Sequence, residues 1–264
     1  MASFRSGALT LAYDDIAPPG ASIGEILLVH GFASNRIENW RRLGWYSAFE
    51  RAGYRLIALD LRGHGESEKP HDPAAYGRAQ MAGDVVSLMD HLGLRRVSLM
   101  GYSLGAHLAL ATALAIPNRL DHLILGGVGG RMLEPPAAPS PGMTLAQALL
   151  SENPDAITDP IQKGFRLFAE AQGEDRQALA ACAQGLGPQT GRDALANLNV
   201  QTLIVAGARD DLAGNPDVLA AAIPDAKAVT LAGCDHFSAI PHALFKAAVF
   251  DFLEGPEEDA PVFE

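Results

Sequence analysis

A chain of 264 residues with 48% hydrophobic and 19% charged residues has room for one large folded domain and too much apolar content for a disordered one. Its formal charge of −11 excludes the basic footprint that nucleic acid requires and disfavours an anionic membrane surface. Two cysteines, Cys182 and Cys234, cannot make a disulfide framework, and no Cys/His cluster has zinc-ligand spacing. The N-terminus lacks a basic start followed by an apolar run, and no stretch of 18 uncharged apolar residues occurs, so neither a secretory signal nor a membrane span is expected. A cytoplasmic protein is the expectation that follows.

Elements alternate along the first half. A short first strand near Ala8–Tyr13 is expected as an antiparallel edge. Ile23–Val29 reads as a strand, Trp40–Ala52 as a helix stopped at Gly53, and Tyr54–Leu59 as a strand. Gln80–Leu92 places Met81, Val85, Leu88 and Met89 on one helical face and ends at Gly93. Val97–Met100 is a strand, Leu104–Ala115 a helix closed by Pro117, and Leu120–Leu125 a strand. This alternation predicts an α/β fold with a mostly parallel sheet and helices on both faces.

The rhythm breaks at Arg131–Asn197. The segment opens Pro-rich (LEPPAAPSPG) and then reads as helices at Thr144–Ser151, Asp159–Ala171 and Glu174–Gly185. It resumes with a strand at Val200–Val205, a helix at Pro216–Ala222, a strand at Ala228–Leu231 and a helix at His242–Leu253. The expected organisation is therefore one α/β core, residues 1–130 and 198–264, interrupted by a helical cap at 131–197. The acidic, proline-containing tail Gly255–Glu264 is expected to fray.

Gly101-Tyr102-Ser103-Leu104-Gly105 lies between a strand and a helix, the setting of a nucleophile elbow. Glycines two residues either side of Ser103 let the backbone turn sharply and lift the hydroxyl clear of the sheet. A hydroxyl needs a base to become nucleophilic. Of the eight histidines, His236 follows the last strand, at the sheet end where parallel sheets place ligands. His30 and His64 also sit at strand or loop ends and compete for the role. The acid that orients the base should follow Val200–Val205, where Asp210 and Asp211 are both available. His30-Gly31-Phe32 follows the strand Ile23–Val29, so the N–H groups of Phe32 and Leu104 are candidate oxyanion donors. Asp60–Ser67 (DLRGHGES) reads as a structural loop fixed by Asp60 and Arg62, without the Gly-Lys-Ser/Thr signature of a phosphate site.

Together HGF at His30–Phe32, DLRGHGES at Asp60–Ser67, GYSLG at Gly101–Gly105, GARDD at Gly207–Asp211 and CDHF at Cys234–Phe237 resemble the α/β-hydrolase superfamily, in its small esterase and lactonase-like branch with a helical cap. The resemblance covers nearly the whole chain outside the cap. It implies Asp210 as the acid, three residues after Gly207, and Phe32 as an oxyanion donor. It implies Ser103 and His236 as nucleophile and base. Resembling dehalogenases and epoxide hydrolases carry aspartate where this chain has Ser103, which disfavours both activities.

The reaction expected is hydrolysis of a small ester, thioester or lactone through an acyl-enzyme on a small-molecule acyl substrate, without cofactor or metal. Phe32, Tyr102, Leu104 and Phe237 are expected to line the pocket. The alternatives are a C–C bond hydrolase or a cofactor-free perhydrolase on the same three residues, and, from another class, a non-catalytic ligand-binding protein. An apolar cap edge would be compatible with a homo-oligomer.

Overall fold

The computed structural model describes residues 2–135, 142–187 and 191–255. Eight strands form one sheet in the order β1-β2-β4-β3-β5-β6-β7-β8. They are β1 (Ala2–Ser6), β2 (Leu9–Ile16), β3 (Gly24–Val29), β4 (Tyr54–Leu59), β5 (Val97–Tyr102), β6 (Leu120–Gly126), β7 (Thr202–Gly207) and β8 (Ala226–Leu231). From β4 to β8 all neighbours are parallel, while β1 and β2 form an antiparallel hairpin whose second strand runs antiparallel to β4. The sequence reading expected a single edge strand here. Ala2–Ser6 (ASFRS) is too short and too polar to announce itself and becomes a strand by pairing with β2.

The apolar strands are buried on both faces, as a parallel sheet with helices above and below demands. In β3, Leu27 and Val29 join one core cluster while Ile26 and Leu28 join the other. Helices α2 (Arg78–His91) and α3 (Leu104–Ala115) cover the first face. Helices α1 (Trp45–Arg51) and α9 (Ala243–Glu254) cover the second, where Trp45 stacks on Phe49 and meets Phe245 edge to face. The helix expected over Trp40–Ala52 is shorter. Ile37–Arg41 forms a separate π-helical turn, and Gly44, at φ 77°, breaks the ladder before α1.

Between β6 and β7 lie α4 (Leu145–Leu150), α5 (Pro160–Ala171), α6 (Arg176–Gly185) and the short α7 (Arg192–Leu195). Each of the first three is started by its own side-chain cap, from Thr144, Asp159 and Asp175. Ala146, Leu149, Ala169, Leu179 and Ala180 make a small core of their own against Ala33 and Phe32. Glu174, just ahead of α6, fastens this layer to the sheet by accepting from Gly65 N–H (2.9 Å) and Asn35 Nδ2 (3.0 Å). The core helix α8 (Pro216–Ala220) follows β7. Much of the Pro-rich opening of the insertion, and the tail expected to fray beyond Gly255, lie outside the described residues.

Candidate active site

Ser103 sits between β5 and α3 with φ 53° and ψ −115°, a conformation that costs an L-residue on the order of 1–3 kcal/mol. Its N–H is held by Gly126 O at 2.8 Å. The flanking glycines are steric necessities. A Cβ on Gly105 would lie 2.0 Å from the Val29 carbonyl oxygen, and one on Gly101 would lie 2.2 Å from the Gly105 carbonyl oxygen. The tight turn leaves the Ser103 side chain only part-buried while its neighbours Tyr102 and Leu104 are buried.

His236 follows β8 and Asp210 follows β7, so all three groups meet at the carboxyl ends of parallel strands. His236 Nε2 lies 3.0 Å from Ser103 Oγ. His236 Nδ1 lies 2.8 and 3.0 Å from the two oxygens of Asp210. The Asp210 side chain is fully buried and also accepts from the N–H groups of Leu212 (3.1 Å) and Ala213 (2.9 Å). A carboxylate held in this way fixes the imidazole with its proton on Nδ1 and its lone pair on Nε2, facing the serine. Asp211, the alternative acid, is exposed and meets the site only through its carbonyl, which accepts from Arg131 Nε.

The competing histidines are spent elsewhere. His30 donates from Nδ1 to Gly31 O (2.8 Å) and accepts at Nε2 from Leu61 N–H (3.0 Å). His64 donates from Nδ1 to Arg62 O (3.0 Å). Burial pushes their imidazoles down to about 4 and about 3 respectively, so both are neutral scaffolding at ordinary pH. Asp60 accepts from the N–H groups of Arg36 (2.7 Å) and Glu66 (2.9 Å) and pairs with the Arg36 guanidinium, while Arg62 forks onto Asp84 with two contacts of 2.7 Å. The loop Asp60–Ser67 is structural, as its sequence suggested.

Phe32 lies in the loop after β3, and Leu104 opens α3 directly after Ser103. Among the described residues neither N–H has a protein acceptor. Ala33, immediately after Phe32, is the other non-glycine residue at positive φ (58°).

Two cavities meet at Ser103 and His236. The larger, about 260 Å³, is lined chiefly by rings and aliphatic groups, among them Phe32, Tyr102, Phe165, Phe168, Phe237 and Ile240. The smaller, about 180 Å³, is walled by His107, Val128, Met132 and Leu212 and shares Phe165 with the first. A cleft of about 660 Å³ around Arg36 and Glu66 touches neither Ser103 nor His236; its charged groups are largely engaged with one another. Phe32, Tyr102 and Phe237 line the larger cavity. Leu104 differs: its side chain is buried in the core and lines neither cavity.

Several site residues escaped the sequence. Phe165 and Phe168 sit on α5, where apolar spacing announces an amphipathic helix but not what it covers. Tyr102 does more than line the cavity, because its hydroxyl donates to the His236 carbonyl at 2.5 Å and so positions the histidine loop. Among the described residues no helix is long and apolar enough to cross a membrane.

Residues 25–159 match the family described as alpha/beta hydrolase fold, a stretch that includes the serine turn but ends before Asp210 and His236. The chain is 30% identical over 268 aligned positions to a 2-hydroxy-6-oxononadienedioate/2-hydroxy-6-oxononatrienedioate hydrolase of Cupriavidus pinatubonensis, covering 89% of this chain and 88% of the relative. It is 37% identical over 107 residues to epoxide hydrolase 3 of Siraitia grosvenorii, spanning only 39% of this chain and about a third (33%) of that relative. The crystal structure of an enol-lactonase from Burkholderia xenovorans shares the fold at a TM-score of 0.78 and 22% identity, over 96% of this chain and 100% of that one. The profile match, the full-length relative and the shared fold agree with the geometry, and the chain belongs to the α/β-hydrolase fold family.

Proposed function

We propose that the protein is a serine hydrolase that cleaves a small ester, thioester or lactone through an acyl-enzyme, with Ser103 as nucleophile, His236 as general base and Asp210 as its orienting acid. The observation that carries this reading is the unbroken hydrogen-bonded chain from Asp210 through His236 to a strained, part-exposed serine at the mouth of two cavities.

In this mechanism Ser103 Oγ attacks the carbonyl carbon as His236 Nε2 takes its proton. Asp210 stabilises the imidazolium that results. The negative oxygen of the tetrahedral intermediate is met by the N–H groups of Phe32 and Leu104, each such donor contributing about 3–4 kcal/mol in comparable sites. His236 then gives its proton to the leaving oxygen or sulfur, and a water activated by the same imidazole releases the acyl group. The inserted helices α4 to α7 serve as the cap over this site, with Phe165 and Phe168 closing the aromatic cavity. Serine at the nucleophile position argues against epoxide opening, despite the local likeness to an epoxide hydrolase.

A fluorophosphonate probe with mass spectrometry is the direct test. The expected result is one adduct on Ser103, absent in Ser103→Ala; a folded protein that stays unlabelled while turning over no ester would overturn the reading. A second reading, C–C bond hydrolysis beside a carbonyl, is favoured by one observation, the likeness to the 2-hydroxy-6-oxononadienedioate/2-hydroxy-6-oxononatrienedioate hydrolase over 88% of that relative's length. Turnover of a vinylogous 1,5-diketone acid with no ester turnover would select it.

A further inference from the structure

His107 has no assigned part in the reaction, yet it lines the smaller cavity beside Ser103 and His236. Its position is fixed by the helix. His107 N–H bonds Ser103 O at 3.1 Å, so His107 stands one helical turn past Ser103, which precedes α3 with a non-helical backbone (φ 53°, ψ −115°). One turn of helix rises about 5.4 Å. A group four bonds from the carbonyl carbon under attack would span that interval. Among the described residues the imidazole of His107 has no hydrogen-bonded protein partner, in contrast to His30, whose two nitrogens are both engaged.

The rest of the cavity sets the chemistry that fits. Its walls are apolar at Val128, Met132, Leu212 and Phe165. Arg131 also borders it, but its guanidinium is turned to Glu134 (3.1 Å) and to the Asp211 carbonyl (3.2 Å). Burial, with the charge of Arg78 nearby, pushes the His107 imidazole down to about 3. It is therefore uncharged at neutral pH, with one N–H to give and one lone pair to receive. An ionised carboxylate would find the one bordering guanidinium turned away to other partners; a hydroxyl or a carbonyl would find a matched partner in an otherwise apolar wall.

We propose that His107 is a specificity-determining residue, and that the smaller cavity selects substrates carrying an uncharged hydroxyl or carbonyl oxygen four bonds from the reacting carbonyl carbon. The inference rests on the acyl-enzyme reading for its turnover test but not for its binding test.

Two isosteric ester pairs probe the two sides of the scissile bond: 2-hydroxyethyl against propyl butyrate, and propyl 4-oxopentanoate against propyl 4-methylpentanoate. The polar member of one pair is expected to be favoured about 5- to 10-fold in kcat/KM, the range of one net hydrogen bond. In His107→Leu that ratio falls to about one, and in His107→Gln, which keeps a donor and an acceptor, part of it returns. Equal rates for both members of both pairs in the wild-type protein, or a preference that survives His107→Leu, would overturn the proposal. A second arm needs no catalysis. In Ser103→Ala the ring nitrogens of His107, followed by ¹⁵N NMR, should shift on saturation with the polar ester of the preferred side and stay put with its apolar twin. If no ester is turned over at all, the acyl-enzyme reading fails, and this arm alone decides the role of His107: no shift with either polar ester sinks it.

Discussion

Two buried constellations stand at the end of the sheet where its parallel strands finish, and each contains carboxylates and histidines. One is Asp210, His236 and Ser103 beyond β7, β8 and β5. The other is Asp14, Arg36, Asp60, His30 and His64 around the ends of β2, β3 and β4. Composition does not separate them; the use of valence does. In the second, Asp60 is surrounded by donors from Arg36 and Glu66, Asp14 accepts from Tyr46 at 3.0 Å, and the one unpaired nitrogen of His64 is sealed from solvent. In the first, the chain of hydrogen bonds ends on a hydroxyl that opens onto two cavities. A polar cluster closed on itself holds structure, and one left open at a single reactive atom is equipped for chemistry.

Cutting the open chain should therefore abolish turnover without unfolding the protein. Ser103→Ala and His236→Ala are each expected to lower kcat at least about 10⁴-fold in a purified esterase assay. Their thermal midpoints should stay within a few degrees of wild type. The strain at Ser103 sharpens the point, because Ser103→Gly relieves a positive φ and should be slightly more stable than the parent while equally dead. A stability loss as large as the activity loss would place Ser103 in the structural class.

The closed network should show the converse. Arg36→Met leaves Asp60 and Asp14 buried without their cation, and breaking such a pair costs about 3–5 kcal/mol. Urea denaturation should show that loss, while the kcat of the protein that remains folded changes little. The comparison would break if this variant were stable and inactive.

The sequence announced these two constellations unequally, for reasons that lie in the range of the forces involved. The serine turn was legible because its constraint is local: Gly101 and Gly105 must clear each other and the β3 backbone, and only glycine does so. Asp210 and His236 were legible because strand alternation puts both at the same sheet end. The hairpin partner Ala2–Ser6 was not, since its strand character comes from pairing. Phe165, Phe168 and His107 were not either. Their spacing reports a helix face, and only tertiary docking shows that those faces look onto Ser103. The π-helical turn at Ile37–Arg41 is likewise a product of packing, with Asn39 drawn inward to accept from Gly31 N–H at 3.1 Å.

A pH titration of stability tests the closed cluster through its histidines. In the folded protein His30 is pushed down to about 4 and His64 to about 3 by burial, against a value of about 6.5 in the unfolded chain. Between those limits the unfolded state binds more protons than the folded state. Stability is thus full above pH 6.5 and is lost as pH falls toward 4, at a slope of up to about 1.4 kcal/mol per pH unit for each such group. His107, also depressed to about 3, adds a third contribution of the same sign. Glu174, held above the usual carboxylate range by burial, contributes in the opposite sense and blunts the slope at the acid end. Chemical denaturation at half-unit steps from pH 7.5 to 4.5 should show the decline, and His30→Asn should flatten it by about one group's share. A profile that rises toward acid would contradict neutral, buried histidines.

The smallest expected effect concerns the join between the two layers. Glu174 ties the inserted helices to the sheet by accepting from Gly65 N–H and Asn35, and Asp175 beside it meets His71 at 2.9 Å on the partly exposed rim. Removing the buried acceptor leaves Gly65 N–H without its partner, a cost of about 1–3 kcal/mol. The rim pair is part-solvated and contributes at most about 1 kcal/mol. Glu174→Ala should therefore lower the denaturation midpoint measurably and loosen the seating of α5 above Ser103, raising KM for bulky esters more than it lowers kcat. His71→Ala should leave both nearly unchanged. The difference follows from the same rule that separates the two constellations: what a polar group is worth depends on whether water can replace its partner. Equal effects from the two variants would mean that the inserted helices are held by their apolar contacts with Ala33 and Phe32 alone.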